Sequence, residues 1–138
     1  MKKIGEYTVR GQIPEGTDNT KKIELFDGTF TSGYRVVKFV IAGARADDTS
    51  SDAVAKLMTE NIGTSADFWN WNDNREIGWA STDHRTADGV QNVFSEIDPD
   101  NLIVEDLFIT AQNRSASNPN INYMITMIKY DISEYQGA

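Results

Sequence analysis

The sequence predicts an all-β protein, an antiparallel β-sandwich of seven or eight strands. Segments rich in β-branched and aromatic residues recur along the chain, and such residues suit half-buried strands. Gly, Pro, Asn and Asp interrupt these segments at short intervals, as turns do in hairpin-connected sheets. The length of 138 residues fits one domain, residues 1–138, with a single core. We favour a jelly-roll topology with long polar loops and at most one short helix.

The first third of the chain contains three candidate strand regions. Residues 6–13 predict a strand that ends at Pro14, because proline cannot donate to a ladder. Residues 22–26 alternate in polarity, and Asp27-Gly28 then favours a hairpin into residues 29–31. Residues 34–42 are apolar on both faces. That pattern predicts either a central strand covered on both sides, or a strand buried on one side and docked to a partner on the other.

The middle of the chain is less regular than its ends. Residues 53–58 fit a short helix capped by Ser51 or Asp52, and they fit a strand equally well. Residues 75–82 and 90–97 predict two strands around an exposed turn at 83–89.

The last third of the chain contains the two strongest strand segments. A tight turn at 98–101 precedes the first of them, residues 102–110. A polar loop at 112–120 separates it from the second, residues 122–132. The second is apolar on both faces, so we expect it to be central, paired on both edges, in a sheet that is covered twice.

Composition excludes several classes of protein. Hydrophobic residues make up 39% and aromatic residues 10% of the chain, too many for a disordered protein. No segment approaches the roughly 20 apolar residues of a membrane helix, and the first residues lack the apolar run of a signal peptide. The absence of Cys fits a reducing compartment and excludes disulfides. We therefore expect synthesis and folding in a cytoplasm.

The charge is unevenly distributed. Residues 1–46 contain eight Lys and Arg against five Asp and Glu, whereas residues 47–106 contain three against fourteen. The acidic middle argues against nucleic-acid binding, which needs clustered cations. It either keeps the protein soluble or meets the basic N-terminal part of a neighbouring copy.

No catalytic constellation is visible. The single histidine, His84, lies in a polar turn, and no nucleophile with a base or glycine-rich phosphate loop accompanies it. We therefore expect no enzymatic activity and no cofactor. The groups Asp47-Asp48-Asp52 and Asp98-Pro-Asp100 contain oxygen ligands of the kind Ca²⁺ binds, but neither matches the EF-hand pattern. We assign no metal site, and whether these groups bind a structural Ca²⁺ stays an open question.

The densest aromatic cluster is Phe68-Trp69-Asn-Trp71, with Trp79 nearby. Large aromatic side chains dominate burial in cores and interfaces, which is the interpretation we favour. Tryptophans beside Asn and Asp could also form a platform on which sugars stack.

Four segments carry a family resemblance: KIELFDGTFTSGY at 22–34, FWNWNDNREIGWA at 68–80, DNLIVEDLF at 100–108 and NYMITMIKYD at 122–131. They resemble small structural proteins of marine tailed phages and related viruses. The resemblance spans most of the chain and includes no catalytic residues. It implies a virion building block present in many copies.

We therefore expect a structural protein of the virion, a capsid decoration or cement protein or another head protein, with a tail or spike role less favoured. Its expected partners are copies of itself and other virion proteins, with neither nucleic acid nor membrane. The residues we expect at its contacts are Tyr7, Arg10, Tyr34, Arg35, Phe39, Trp69, Trp71, Tyr130 and Tyr135. The alternative is a glycan-binding β-sandwich that uses Trp69, Trp71 and Trp79.

Overall fold

A computed structural model of the chain describes residues 2–14, 19–26, 28, 30–43, 50–85, 90–113 and 120–133. These residues form eight strands and contain no α-helix, which confirms the predicted all-β class. The strands are β1 (Lys2–Ile13), β2 (Asn19–Glu24), β3 (Ser32–Gly43), β4 (Ser50–Met58), β5 (Glu76–Arg85), β6 (Val90–Ile97), β7 (Asp106–Asn113) and β8 (Ile121–Asp131).

The strands form two antiparallel sheets that pack face to face as a β-sandwich. One sheet has the order β1-β8-β3 and the other the order β2-β7-β4-β5-β6. Seven of the eight strands occupy the positions that they would have in an eight-stranded jelly roll. The exception is β6, which a jelly roll would place beside β3 and which here pairs with β5. The Ser95 hydroxyl on β6 still donates to the Phe39 carbonyl on β3, so a side chain links these two edges.

The core lies between the sheets and follows the two-residue period of the strands. On β8, Ile121, Tyr123, Ile125 and Met127 are buried, whereas the residues between them are half-buried or exposed. Burying one side chain of this size stabilises the fold by about 1.5–3 kcal/mol. Further core residues on the other strands include Ile13, Val36, Phe39, Leu57, Leu107 and Ile109.

Gly11 on β1 allows the Tyr123 ring to lie against the backbone of that strand. A Cβ atom at position 11 would lie 2.5 Å from the Tyr123 hydroxyl oxygen and 2.7 Å from its Cζ. The Nζ of Lys21, on β2 of the facing sheet, lies 5.7 Å from the centroid of the same ring. Gly11 is therefore needed for a contact that joins the two sheets.

The position of β8 confirms one prediction and corrects another. β8 is central and pairs with β1 and β3 along its length, as the sequence predicted. The prediction that this sheet is covered on both faces is wrong, because no described strand packs on its outer face, where Met124 is 38% exposed. Ile128 and Tyr130 on the same face are half-buried.

The position of β3 also differs from the first interpretation of residues 34–42. β3 pairs with β8 and, apart from one bridge between Tyr34 and Ile103, has no other ladder partner among the described residues. It is an edge strand whose register shifts between Val36 and Lys38. Its docking to a partner stays a prediction.

Several element boundaries are corrected as well. Residues 53–58 belong to a strand, β4, not a helix. The hairpin at 27–28 is wrong, because β2 and β3 lie in different sheets and their connection crosses between them. Residues 102–105 precede β7 and do not belong to it. Residues 83–85 of the predicted turn at 83–89 belong to strand β5, and residues 86–89 lie outside the described part.

Candidate functional site

The outer face of the three-stranded sheet presents a mixed apolar and basic surface. Residues directly opposed across β1, β8 and β3 share a face, and the sheet register sets them in rows. The rows are Arg10–Met124–Val40, Thr8–Thr126–Lys38, Glu6–Ile128–Arg35 and Lys3–Tyr130–Gly33. We call the set Met124, Val40, Ile128 and Tyr130, together with the cations around it, the outer patch.

Cations outnumber carboxylates around the outer patch. Arg10, Lys38 and Lys3 are exposed, and the Arg35 guanidinium lies 5.5 Å from the Tyr130 ring centroid. The Arg35 Nε is shielded from solvent and has no hydrogen-bond partner among the described residues. The carboxylate in these rows is that of Glu6, which lies 3.6 Å from Lys3 Nζ. The surface is therefore positive and retains hydrogen-bonding capacity.

Two predicted contact tyrosines lie together on the other face of the three-stranded sheet, where Tyr7 is opposite Met127 and Tyr34 opposite Lys129. Tyr7 and Tyr34 meet edge to face with ring centroids 6.5 Å apart, and Lys129 Nζ lies 5.5 Å from the Tyr34 centroid. The Tyr34 backbone also exchanges hydrogen bonds of 2.8 and 2.7 Å with Ile103. Tyr7 remains exposed and Tyr34 is half-buried. Of the predicted contact residues, the structure thus brings Arg10, Arg35 and Tyr130 to the outer patch.

Phe39 is a correction. Its side chain is fully buried in the core, because the register shift in β3 turns it towards the facing sheet. It has no surface left for a partner. Tyr135 lies outside the described residues.

A second candidate surface is built on the five-stranded sheet, where residues 59–75, the covering loop, pack on the outer face. A buried ion pair attaches this loop: Lys56 Nζ lies 3.2 Å from Glu76 Oε2, and both side chains are almost fully buried. The Lys56 ammonium also donates to the Phe68 carbonyl at 2.8 Å and to the Thr64 hydroxyl at 2.5 Å. Two of these three bonds, those to Thr64 and Phe68, fasten the loop to the sheet, and the third holds the ammonium against Glu76 on β5.

Glu76 and Asp73 fix the second half of the covering loop. Glu76 Oε1 accepts 2.9 Å hydrogen bonds from the Asn70 backbone N–H and from Trp79 Nε1. Arg75 binds Asp73 through two parallel hydrogen bonds of 2.9 and 2.7 Å. The side-chain hydrogen bonding from Arg75 is the largest cause that lowers the pKa of Asp73 to about 2, and the same pair raises the pKa of Arg75.

The covering loop and the sheet enclose an open groove of about 610 Å³. We call it the aromatic groove, since Trp71, Trp79 and Phe94 line it. The Trp71 and Trp79 centroids are 5.6 Å apart, and Trp69 stacks on Phe94 at 5.6 Å. The polar lining residues are Asn72, Asp73, Asn74, Glu76, Glu96 and Asp98.

The three tryptophans differ in exposure. Trp71 is 66% exposed, Trp69 is half-buried with its Nε1 donating to the Ala66 carbonyl at 3.0 Å, and Trp79 is buried. The aromatic cluster therefore contributes Trp79 and much of Trp69 to packing and Trp71 to the surface. Trp71 alone among the three presents most of its indole to solvent.

Sequence reasoning missed the residues that organise both surfaces. Lys56 stands inside the apolar run Ala53-Val-Ala-Lys-Leu-Met58, and a lone cation in such a run is the signal for a buried ion pair. The sequence pattern places Met124 and Ile128 in a sheet covered on both faces, whereas it leaves Val40 between a covered face and a face docked to a partner. Phe94 and Glu96 have no signal of their own, because pairing between β5 and β6 brings them beside Trp79.

Within the described residues, no three His, Cys, Asp or Glu side chains lie close enough together to hold a metal ion. Asp47 and Asp48, part of one carboxylate group considered for Ca²⁺, lie outside that description.

The described part of the chain contains no helix long and apolar enough to cross a membrane. No protein-family model, curated protein or solved structure matches this chain.

Proposed function

We propose that the protein is a non-catalytic structural component of a virion, present in many copies and acting through protein–protein contacts. Capsid decoration or cementing is the role we favour among these. The observation that carries the proposal is the outer patch, an apolar centre on a sheet face that no described strand covers. Partly exposed apolar surface of this kind is typical of interaction sites.

Charge complementarity indicates which partner the outer patch fits. Four cations surround it, and the region from residue 47 to residue 106 contains fourteen carboxylates against three cations. A second copy therefore offers an excess of carboxylates to each outer patch, in a head-to-tail arrangement. The partner that fits the outer patch is a further copy of this chain. Other virion proteins are then held at the remaining surfaces.

The fold and the resemblance also support a virion location. The strand order is close to that of a jelly roll, an architecture used by viral capsid domains and also by lectins. Because one fold serves many functions, this support is an analogy. The resemblance of four segments to small structural proteins of marine tailed phages favours the viral alternative.

The test is the mass of the purified full-length protein by light scattering, with negative-stain imaging of the same sample. We expect a species of several subunits that buries roughly 1,000 Å² or more per contact. Raising the salt from about 0.1 M to about 1 M shortens the Debye length from about 10 Å to about 3 Å and should weaken the association. A monodisperse monomer at high protein concentration would contradict the proposal.

A further inference from the structure

We propose that the aromatic groove is a binding site for a neutral saccharide, such as the end of an uncharged glycan chain. The site is separate from the outer patch, since the two lie on different sheets. It gives the chain a recognition function that assembly does not require.

The first argument is the placement of Trp71. Its indole is 66% exposed although it lies directly beside Trp79, and with Phe94 it forms an apolar wall around the groove. A pyranose ring has an apolar face of C–H groups, and aromatic faces are the surfaces on which such a ring loses least by desolvation. A tryptophan required only for packing would be buried, as Trp79 is.

The second argument is preorganisation. The loop segment that presents Trp71 is fixed on both sides, by the hydrogen bond from the Asn70 N–H to the buried Glu76 and by the paired bonds between Arg75 and Asp73. The Asn70 side chain also accepts from the Asn72 N–H at 3.1 Å. A fixed site loses less entropy when it binds a ligand. The groove is therefore built before any ligand arrives.

The third argument is the polar lining. Carboxylates and amides accept and donate the hydrogen bonds that sugar hydroxyls offer, and Asn72, Asn74, Glu96 and Asp98 all line the groove. Lys56 and Arg75 neutralise two of the four lining carboxylates, so the groove stays negative. That charge disfavours sialic and uronic acids and selects uncharged sugars.

Size separates a saccharide from the other ligand that aromatic and acidic groups attract, an organic cation. A volume of about 610 Å³ lies in the usual range of small-molecule sites, about 300–1,000 Å³. An ammonium group needs a far smaller, closed cage to be desolvated. An open groove of this volume suits one or two sugar rings.

The experiment titrates the full-length protein with cellobiose, lactose, maltose, mannobiose and diacetylchitobiose, followed by tryptophan fluorescence and NMR shifts. We expect at least one disaccharide to bind with a Kd on the order of 1 mM. Glucuronate should not bind. Absence of binding by all five disaccharides up to about 50 mM, roughly fifty times the expected Kd, would overturn the proposal.

Two variants make the result specific. Trp71→Ala should weaken disaccharide binding by about tenfold or more, whereas Phe68→Ala should leave it unchanged, since Phe68 is 56% exposed on the same loop and does not line the groove. Equal binding by the wild type and Trp71→Ala would overturn the proposal. Both residues are exposed, so both variants should fold, which melting curves check.

A third variant distinguishes sugar from cation. Glu96→Gln keeps a hydrogen-bond acceptor but removes a charge, so disaccharide binding should persist within about threefold. Tighter binding of tetramethylammonium than of every disaccharide, lost in Glu96→Gln, would make the groove a cation site and overturn the proposal. Subunit mass, measured in parallel, tests the assembly role independently.

Discussion

Replacing Lys56 by methionine tests whether the buried ion pair holds the covering loop on the sheet. The substitution keeps the length of the aliphatic chain and removes the ammonium, which bonds Glu76, Thr64 and the Phe68 carbonyl. Glu76 is then a buried carboxylate without a counter-ion. Breaking a buried pair in this way costs about 3–5 kcal/mol. That loss is large against the 5–15 kcal/mol of a typical domain.

The free energy of unfolding is measured in urea by circular dichroism for the wild type and four variants. Lys22→Met is the matched control, because Lys22 and Asp106 form an ion pair of the same 3.2 Å length whose side chains are partly exposed, 49% and 24%. It should cost less than about 1 kcal/mol. The remaining variants are Lys56→Met, Glu76→Gln and the double variant, which complete a double-mutant cycle.

We expect Lys56→Met to be the more damaging single change and the double variant to cost less than the two single changes together, by about 0.5–3 kcal/mol. Glu76→Gln keeps an oxygen that can accept from Asn70 and Trp79, so much of the loop should stay in place. If Lys56→Met cost no more than Lys22→Met, or if the cycle were additive, the ion pair would not anchor the loop.

Three further outcomes follow from burial, close contact and charge. Ile125→Ala should cost about 2–5 kcal/mol in urea unfolding, because this residue is fully buried, and Ile128→Ala distinctly less, because it is half-buried on the outer face; equal costs would contradict the assignment of faces. Gly11→Ala should destabilise by about 1–3 kcal/mol because its new methyl group displaces Tyr123, whereas Gly5→Ala should cost less, since the nearest side chain there is exposed; melting curves that reversed the order would refute this. The Asp73 carboxyl should titrate by NMR at about pH 2. Because its folded pKa is depressed, its contribution to stability is complete above its unfolded pKa and is lost as the pH falls from about 4 to about 2. A titration midpoint near pH 4 would contradict the pairing of Asp73 with Arg75.

The sheet architecture could be predicted from the sequence because strand alternation is local. Residues 122–132 carry apolar side chains on both faces, and this placed the last strand correctly at the centre of a sheet. The same pattern misled about what covers it. Periodicity reports how many faces are apolar, and it does not report whether a second layer of the same chain is present.

The sites could be predicted only in part because they depend on contacts between distant segments. Trp71 was recognised as a contact residue, but its groove needs Phe94, which follows it by more than twenty residues and reaches it through the pairing of β5 with β6. Phe39 was misassigned because a single register shift in β3 decides which side it faces. Neither pairing nor bulges can be read from local composition.

The assembly role rests on the outer patch, and a charge placed at its centre tests it most directly. Met124→Glu puts a carboxylate in the apolar centre, whereas Val93→Glu places the same charge at a residue that is more exposed, 65% against 38%, on the other sheet. Sedimentation velocity gives the subunit number of each variant at equal concentration. The account predicts that the wild type and Val93→Glu associate while Met124→Glu is monomeric. A monomeric wild type, or a Met124→Glu variant that associates like the wild type, would contradict it.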